Sequence, residues 1–276
     1  MSVSAVVPVY NGADFVAEAI ESIYAQTILP AEVIVVDDGS TDETPSILRQ
    51  FQRRPRFRSV RKPQGGPASA RNVGVDQATS EYIAFLEHDD LWRPQKLERQ
   101  LAEFDPTWGM SFTAHQLTTG TASTVERYET WDPDPHAVLG LLVRWCAVRP
   151  PSSVLIRRDA LKRVGPFENV VPFGDDWLMW LRFASAGNPV GYLPEPLTEY
   201  RWHGKNHSRS ENGEIYDCAC AVFDRYGDRR LRASWRLRTA IYAHQHRDRH
   251  RARNRIFEAA GIRPWSIRPG WVKLLS

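Results

Sequence analysis

The sequence predicts an α/β protein: one three-layer α/β/α domain with a mainly parallel central sheet, followed by a helical appendage. Three observations carry that expectation. Short apolar runs at Val3–Val9, Glu32–Val36 and Tyr82–Leu86 read as buried strands. The stretches between them place apolar residues at helical spacing, as Phe15, Val16, Ala19, Ile20, Ile23 and Tyr24 do within 13–26. Alternation of this kind over about 200 residues implies parallel strands joined by crossover helices.

Each element has a local reason. Val3–Val9 is apolar throughout and contains Pro8, which is disfavoured inside a central strand and marks its end. Pro8-Val9-Tyr10-Asn11-Gly12 is therefore a loop at a strand's carboxyl end, before the helix over 13–26. The strand Glu32–Val36 runs into Asp37-Asp38-Gly39-Ser40-Thr41-Asp42, where Asp42 suits an N-cap and Pro45 the first turn of the next helix. Arg58–Arg61 is a short third strand. Gln64-Gly65-Gly66-Pro67 opens a helix with Arg71 one turn in, an arrangement that favours anions but lacks P-loop or dinucleotide spacing.

The strand Tyr82–Leu86 stops in Glu87-His88-Asp89-Asp90. Acidic groups at a strand's carboxyl end lie where open α/β sheets bind ligands. Their oxygens suit a hard divalent cation, Mg²⁺ or Mn²⁺, which commonly also holds substrate phosphates. A polar turn capping the helix over 94–104 accounts for the same residues. Further on, 109–115 predicts a strand, 118–134 a loop, 136–148 a helix, 152–156 a strand and 159–164 a short helix. A Pro/Gly-rich loop over 166–174 delivers Asp175-Asp176-Trp177 to a helix ending near Ala186, where two carboxylates also suit capping. Residues 189–200 are extended. Arg201-Trp202-His203 then begins a loop rich in cationic and imidazole groups, and three arginine-rich helices are expected after Ser210. The expected division is residues 1–209 as the α/β domain and 210–276 as a basic helical region.

Composition narrows the class. The 276 residues are 42% hydrophobic and 25% charged, as in water-soluble globular proteins. No apolar run approaches the roughly 20 residues that span a bilayer, and the N-terminal residues lack the pattern of a secretory signal. Cys146, Cys218 and Cys220 form neither a disulfide framework nor a zinc pattern, which fits a reducing, cytoplasmic setting. The net charge of +3 hides an asymmetry. From Arg201 onward there are 17 Lys+Arg against 7 Asp+Glu, and before it 19 against 26. A basic tail of this kind meets anionic membrane at its periphery, forms a homodimer interface, or is a solvated packing appendage. Aromatic interleaving of the sort that favours nucleic acid is missing, so no nucleic-acid partner is expected.

Taken together, six motifs in order over residues 3–208 resemble the family 2 glycosyltransferases, inverting enzymes with the GT-A fold. They are Val7-Pro8-Val9-Tyr10-Asn11, Val35 to Asp42, Gly66 with Ala70 to Gly74, Phe85 to Trp92, Gly174 to Trp177, and Tyr200 to His203. The resemblance implies a nucleotide-diphosphate sugar donor of the UDP, dTDP or GDP type and a glycan, lipid-linked or small-molecule acceptor. It implies that Pro8, Tyr10, Asp38, Arg71, Glu87 and His88 surround the nucleotide sugar, Asp38 at the base and Arg71 near the base and diphosphate. Asp89 corresponds to the direct metal ligand, His203 to the histidine approaching metal or diphosphate, and Asp176 to the general base. Asp175 and Trp177 face the acceptor, although core packing explains Trp177 almost as well. The sequence departs from the family pattern at Glu87 and Asp175, where aspartate and glutamate are usual, and at Gln64, where asparagine is common. A sugar-1-phosphate nucleotidyltransferase needs a basic glycine-rich loop near the N-terminus, and Pro8 to Gly12 holds no lysine or arginine. An inactive scaffold with the same fold is the other alternative.

Overall fold

The computed structural model describes residues 1–142, 146–168, 174–204 and 206. Apart from Gly174 they fall within one compact unit, Met1–Val170 with Asp175–Asn206. The basic helices expected after Ser210 lie outside the described residues. The first half alternates strictly: β1 (Val3–Val9), α1 (Val16–Tyr24), β2 (Glu32–Asp37), α2 (Thr44–Phe51), β3 (Phe57–Arg61), α3 (Pro67–Gln77) and β4 (Tyr82–Phe85). Then come β5 (Leu91–Trp92), α4 (Lys96–Ala102), β6 (Met110–Thr119), β7 (Ala122–Glu126), α5 (Pro135–Leu142), a 3-10 turn at Pro151–Ser153, β8 (Leu155–Arg157), α6 (Arg158–Val164), α7 (Asp175–Ser185) and β9 (Val190–Trp202).

Among the described residues these strands form a single sheet, in the order β3-β2-β1-β4-β8-β6-β9-β5, with β7 beside β6. The β3-β2-β1-β4 half is parallel, as the alternation predicts. Beyond it β8 runs antiparallel to both β4 and β6, and β9 returns parallel to β6. The ends of β4, β6 and β9 thereby open on the same edge.

All seven residues of β1 are buried, because both faces of the sheet are covered. Val3, Ala5, Val7 and Val9 share one core with Val16, Ile20 and Ile23 of α1, Leu48 of α2 and Leu97 of α4. Val6 points the other way, against α3. There a Cβ added to Gly74 would stand 2.3 Å from Val6 Cγ1, so glycine is what lets helix and sheet approach. Helices on both faces make the three layers.

Two stretches depart from expectation. The loop predicted over 118–134 contains β7, which pairs with β6 from His115↔Glu126 to Thr119↔Ala122 around Gly120, whose φ is +58°. The strand gave no apolar alternation because Ala122, Ser123, Thr124 and Val125 are all exposed. Of the helix predicted over 136–148, the described part is α5 (Pro135–Leu142), and residues 146–148 are not helical. The next residue, Arg149, precedes Pro150 and is disfavoured in helical conformation, so the chain is extended there.

Candidate active site

Asp38 follows β2 and is buried. Its carboxylate accepts from Gly65 N–H at 3.0 Å, Gly66 N–H at 2.8 Å and Lys62 Nζ at 2.5 Å. A carboxylate has about four acceptor positions, so Asp38 folds the glycine-rich turn onto the end of β2. Gly66, at φ +85°, enters α3 in a conformation open to glycine. Pro8 and Val9, expected in a loop, are the last residues of β1, and the loop that follows them, 10–12, is tied to the same region. Asn11 N–H donates to Ser40 Oγ, Gly12 N–H to Thr44 Oγ1, and Thr41 N–H to Asn11 Oδ1. His88 lies against this loop, since a Cβ on Gly12 would meet His88 Cδ2 at 2.4 Å.

The second group is a buried ion-pair bridge. Arg71, on α3, donates through Nη2 to Glu87 at 2.8 Å and through Nη1 to Asp175. Its side chain is 5% exposed, and it lies over the Phe167 ring. Burial opposes its charge, but Asp175, Glu87 and Asp176 hold the guanidinium protonated. Asp176, partly buried on the first turn of α7, takes the opposite perturbation. Burial first, then the Asp175 charge, push its carboxyl up to about 6, while Arg71 pulls it down. One bridge thus connects the end of β4 to the start of α7.

The third group joins β4 to β9. Asp90 is fully buried and accepts from Ser152 Oγ at 2.5 Å and Arg201 N–H at 3.2 Å. Ser152 in turn accepts from Glu87 N–H at 2.9 Å, which fixes the acidic turn. Arg201 Nε donates to Asp89 O at 2.5 Å and Nη1 to Glu18. With the end of β9 held there, His203 Nε2 comes within 3.2 Å of Asp89 Oδ2, which also accepts from Asn206 Nδ2. Phe15 stacks on the His203 ring at 4.4 Å between centroids.

Among the described residues no three His, Cys, Asp or Glu side chains converge to hold a metal. Asp89 and His203 offer one oxygen and one nitrogen side by side. That set fits a cation that keeps waters and substrate phosphates as its other ligands.

The sequence model for Glycosyl transferase family 2 matches residues 4–165, more than half of the chain. The chain belongs to this family. Among the relatives of this family 2 glycosyltransferase domain is TuaG of Bacillus subtilis, provisionally named for teichuronic acid biosynthesis. It is 35% identical over 221 residues, which cover 76% of this chain and 82% of TuaG. An uncharacterized glycosyltransferase of Nostoc sp. is 30% identical over 76% of this chain and 67% of its own length. In an uncharacterized glycosyltransferase of Rickettsia felis the match spans 33% of that protein, so the chain corresponds to only part of some relatives. The fold is shared with residues 1–349 of S. aureus TarS in complex with UDP-GlcNAc. The TM-score is 0.72 and the identity 19%, covering 94% of this chain and 79% of that one. It is also shared with the mannosyltransferase PcManGT of Pyrobaculum calidifontis in complex with GDP-Man and Mn²⁺, at TM-score 0.63 and 21% identity over 99% and 78% of the two chains. These likenesses establish the GT-A architecture expected from the sequence.

Within this glycosyltransferase domain the residues singled out in the sequence fall into three placements. Asp89 and His203 meet, although 114 positions separate them. Pro8, Tyr10, Asp38, Glu87 and His88 surround the loops at the ends of β1, β2 and β4. Three residues are held by partners inside the protein. Arg71, expected at the nucleotide, spends both terminal nitrogens on Glu87 and Asp175. Asp175, expected to face the acceptor, is buried on Arg71. Trp177, assigned to the same side, is a core residue whose Nε1–H donates to Leu142 O at 2.8 Å. These groups are sealed from water and bond within the protein, although Arg71 Nε is buried without a hydrogen bond. The sequence reading passed over Lys62, Asp90, Ser152 and Asn206. Only Asp90 carried a signal, as the last acid of a strand-end cluster.

Proposed function

We propose that this domain transfers a sugar from a nucleotide-diphosphate sugar to an acceptor hydroxyl by single displacement with inversion, in the synthesis of a polysaccharide or glycoconjugate. The observation that carries the reading is the Arg71 bridge, which sets the base candidate Asp176 beside the acidic end of β4. Asp176 accepts the acceptor's proton as the hydroxyl attacks the anomeric carbon. With its carboxyl pushed up to about 6, it is ionised at neutral pH yet basic enough for that transfer. Arg71 and Asp175 act on Asp176 rather than on either substrate.

On the donor side, Pro8 and Tyr10 line the nucleotide loop with His88 beneath it, and Glu87 faces the ribose. Asp38 shapes the glycine turn and meets the base by exchanging Lys62 for a ring N–H. Asp89 and His203 would hold a divalent cation, Mn²⁺ or Mg²⁺, which when bound supplies positive charge to the departing diphosphate. Support for the donor class comes from UDP-GlcNAc bound to TarS and from GDP-Man with Mn²⁺ in PcManGT. Support for a polysaccharide acceptor comes from the name of TuaG. The basic residues after Arg201 favour work at a membrane surface, on a lipid-linked acceptor.

The test is calorimetric titration of UDP, dTDP and GDP, each with and without Mn²⁺. One nucleotide should bind, with affinity that collapses when the metal is withheld. Absence of binding for all three would replace this reading with that of an inactive scaffold.

A further inference from the structure

A cavity of about 250 Å³ lies within the β6–β7 hairpin side of the domain, apart from the residues described above. Its lining residues include the aromatic Phe112, Tyr128 and Tyr192 and the polar His115, Glu126 and Arg149. Phe112 and Tyr192 are register partners on β6 and β9, with ring centroids 4.8 Å apart. The Tyr128 ring stands 5.4 Å from that of Tyr192, held by its backbone N–H on Tyr192 Oη and by its own hydroxyl on Ala147 O. Two walls of the cavity are thus fixed by hydrogen bonds, independent of any ligand.

The polar side is less settled. His115 is 4% exposed, and its buried Nε2 has no well-aligned hydrogen bond, its nearest polar neighbour being Glu126. Glu126 Oε2 lies 3.3 Å from it but lacks the alignment of one. Arg149 Nη2 donates to the same Glu126 oxygen at 2.8 Å. A buried polar atom with no well-aligned partner is uncommon and costs stability. Burial, ahead of the opposing effect of Glu126, pushes His115 down to about 4, so the ring is neutral near pH 7. A neutral imidazole has one donor and one acceptor nitrogen. Beside it stand a carboxylate that accepts and a guanidinium that donates.

Ala147 and Arg149 line the cavity, and Cys146 precedes them. The Cys146 thiol, pushed up mainly by burial, also feels the charge of Asp176. At the other end of this stretch, Leu142 O accepts from Trp177 on α7.

We propose that this cavity is a subsite for one sugar ring of the acceptor glycan, with His115 and Glu126 taking its hydroxyls and the aromatic rings its C–H face. The chemistry favours a polyhydroxylated ring. Hydroxyls both donate and accept, as this mixed polar set requires. Planar rings bury apolar ligand faces, and the polar groups beside them fix orientation. The inference rests on the glycosyltransferase reading, but its test separates the two.

The experiment is saturation-transfer NMR on the full chain with methyl glycosides of glucose, galactose, mannose, N-acetylglucosamine and glucuronic acid, with inorganic phosphate as a control. The variants are Glu126→Ala, at a partly exposed hairpin position, and His115→Gln, which keeps a polar group. At least one glycoside should bind the wild type, and its affinity should fall about tenfold or more in each variant. Nucleotide affinity should stay unchanged in the same samples. If nucleotide binds while no glycoside does, or if both variants keep full glycoside affinity, the subsite is refuted and the glycosyltransferase reading stands. Displacement of the glycoside by inorganic phosphate would also refute it, as the sign of an anion site. Absence of nucleotide binding would count instead against the function on which the subsite rests.

Discussion

Replacing Arg71 with methionine tests the link between the two halves of the site. The guanidinium holds Asp175, 7% exposed at its side chain, and Glu87, 21% exposed. Removing one partner of a buried ion pair costs about 3–5 kcal/mol, because the remaining charge stays desolvated. A loss in that range is expected in urea unfolding. The catalytic effect has a definite sign. Among the charges acting on Asp176, Arg71 lowers its pKa and Asp175 and Glu87 raise it. Without Arg71 the carboxyl moves above its present value of about 6, by roughly one to three units for loss of a close opposite charge. Were it to reach about 8, the ionised fraction at pH 7 would be roughly tenfold lower. The assay is the pH dependence of kcat with saturating donor, alongside calorimetric nucleotide affinity. The acid limb should move to higher pH while nucleotide affinity changes little. Arg71→Lys should recover part of the rate, since an ammonium restores the charge but not the two-pronged geometry. An acid limb that stays in place, combined with weakened nucleotide binding, would return Arg71 to the donor and refute the bridge as the base's support.

In the wild type, kcat should fall tenfold per pH unit below about 6, as Asp176 takes up a proton. Asp176→Asn should keep nucleotide affinity and lose roughly 10²–10⁴-fold in turnover, a contrast that single-turnover kinetics would expose. Asp89→Ala should abolish the Mn²⁺ dependence of nucleotide affinity, and an unchanged dependence in calorimetry would remove Asp89 as a ligand. Glu32 responds to acid. Burial alone would raise its carboxyl, but hydrogen bonds from Ser4 and Thr79 prevail and lower it to about 2 from 4.5. Its stabilising effect is therefore complete above pH 4.5 and fades as pH falls toward 2, so Glu32→Gln should flatten the acid side of the stability curve. Gly74→Ala drives a Cβ toward Val6 and should cost about 1–3 kcal/mol in thermal or urea unfolding.

Much of this molecule is legible along the chain. Val3–Val9, Glu32–Asp37 and Tyr82–Phe85 are apolar because they are buried on both faces, so strand positions could be read without neighbours. Acidic and glycine-rich segments at their carboxyl ends marked one edge of the sheet as the candidate site, and six motifs in order identified the family. Local patterns determined these features, and local patterns are what a sequence displays. The partners of buried charges are different. That Arg71 meets Asp175, 104 residues away, and that Asp90 receives Ser152 and the backbone of Arg201, depends on the order of β4, β8, β6 and β9 across the sheet. The exposed strand β7 left no apolar trace, and the cavity it helps enclose exists only once β6 and β9 are side by side. Residue types determined which groups can do chemistry; tertiary structure decided which of them are sealed from water and must hold one another, and which remain free to meet a substrate.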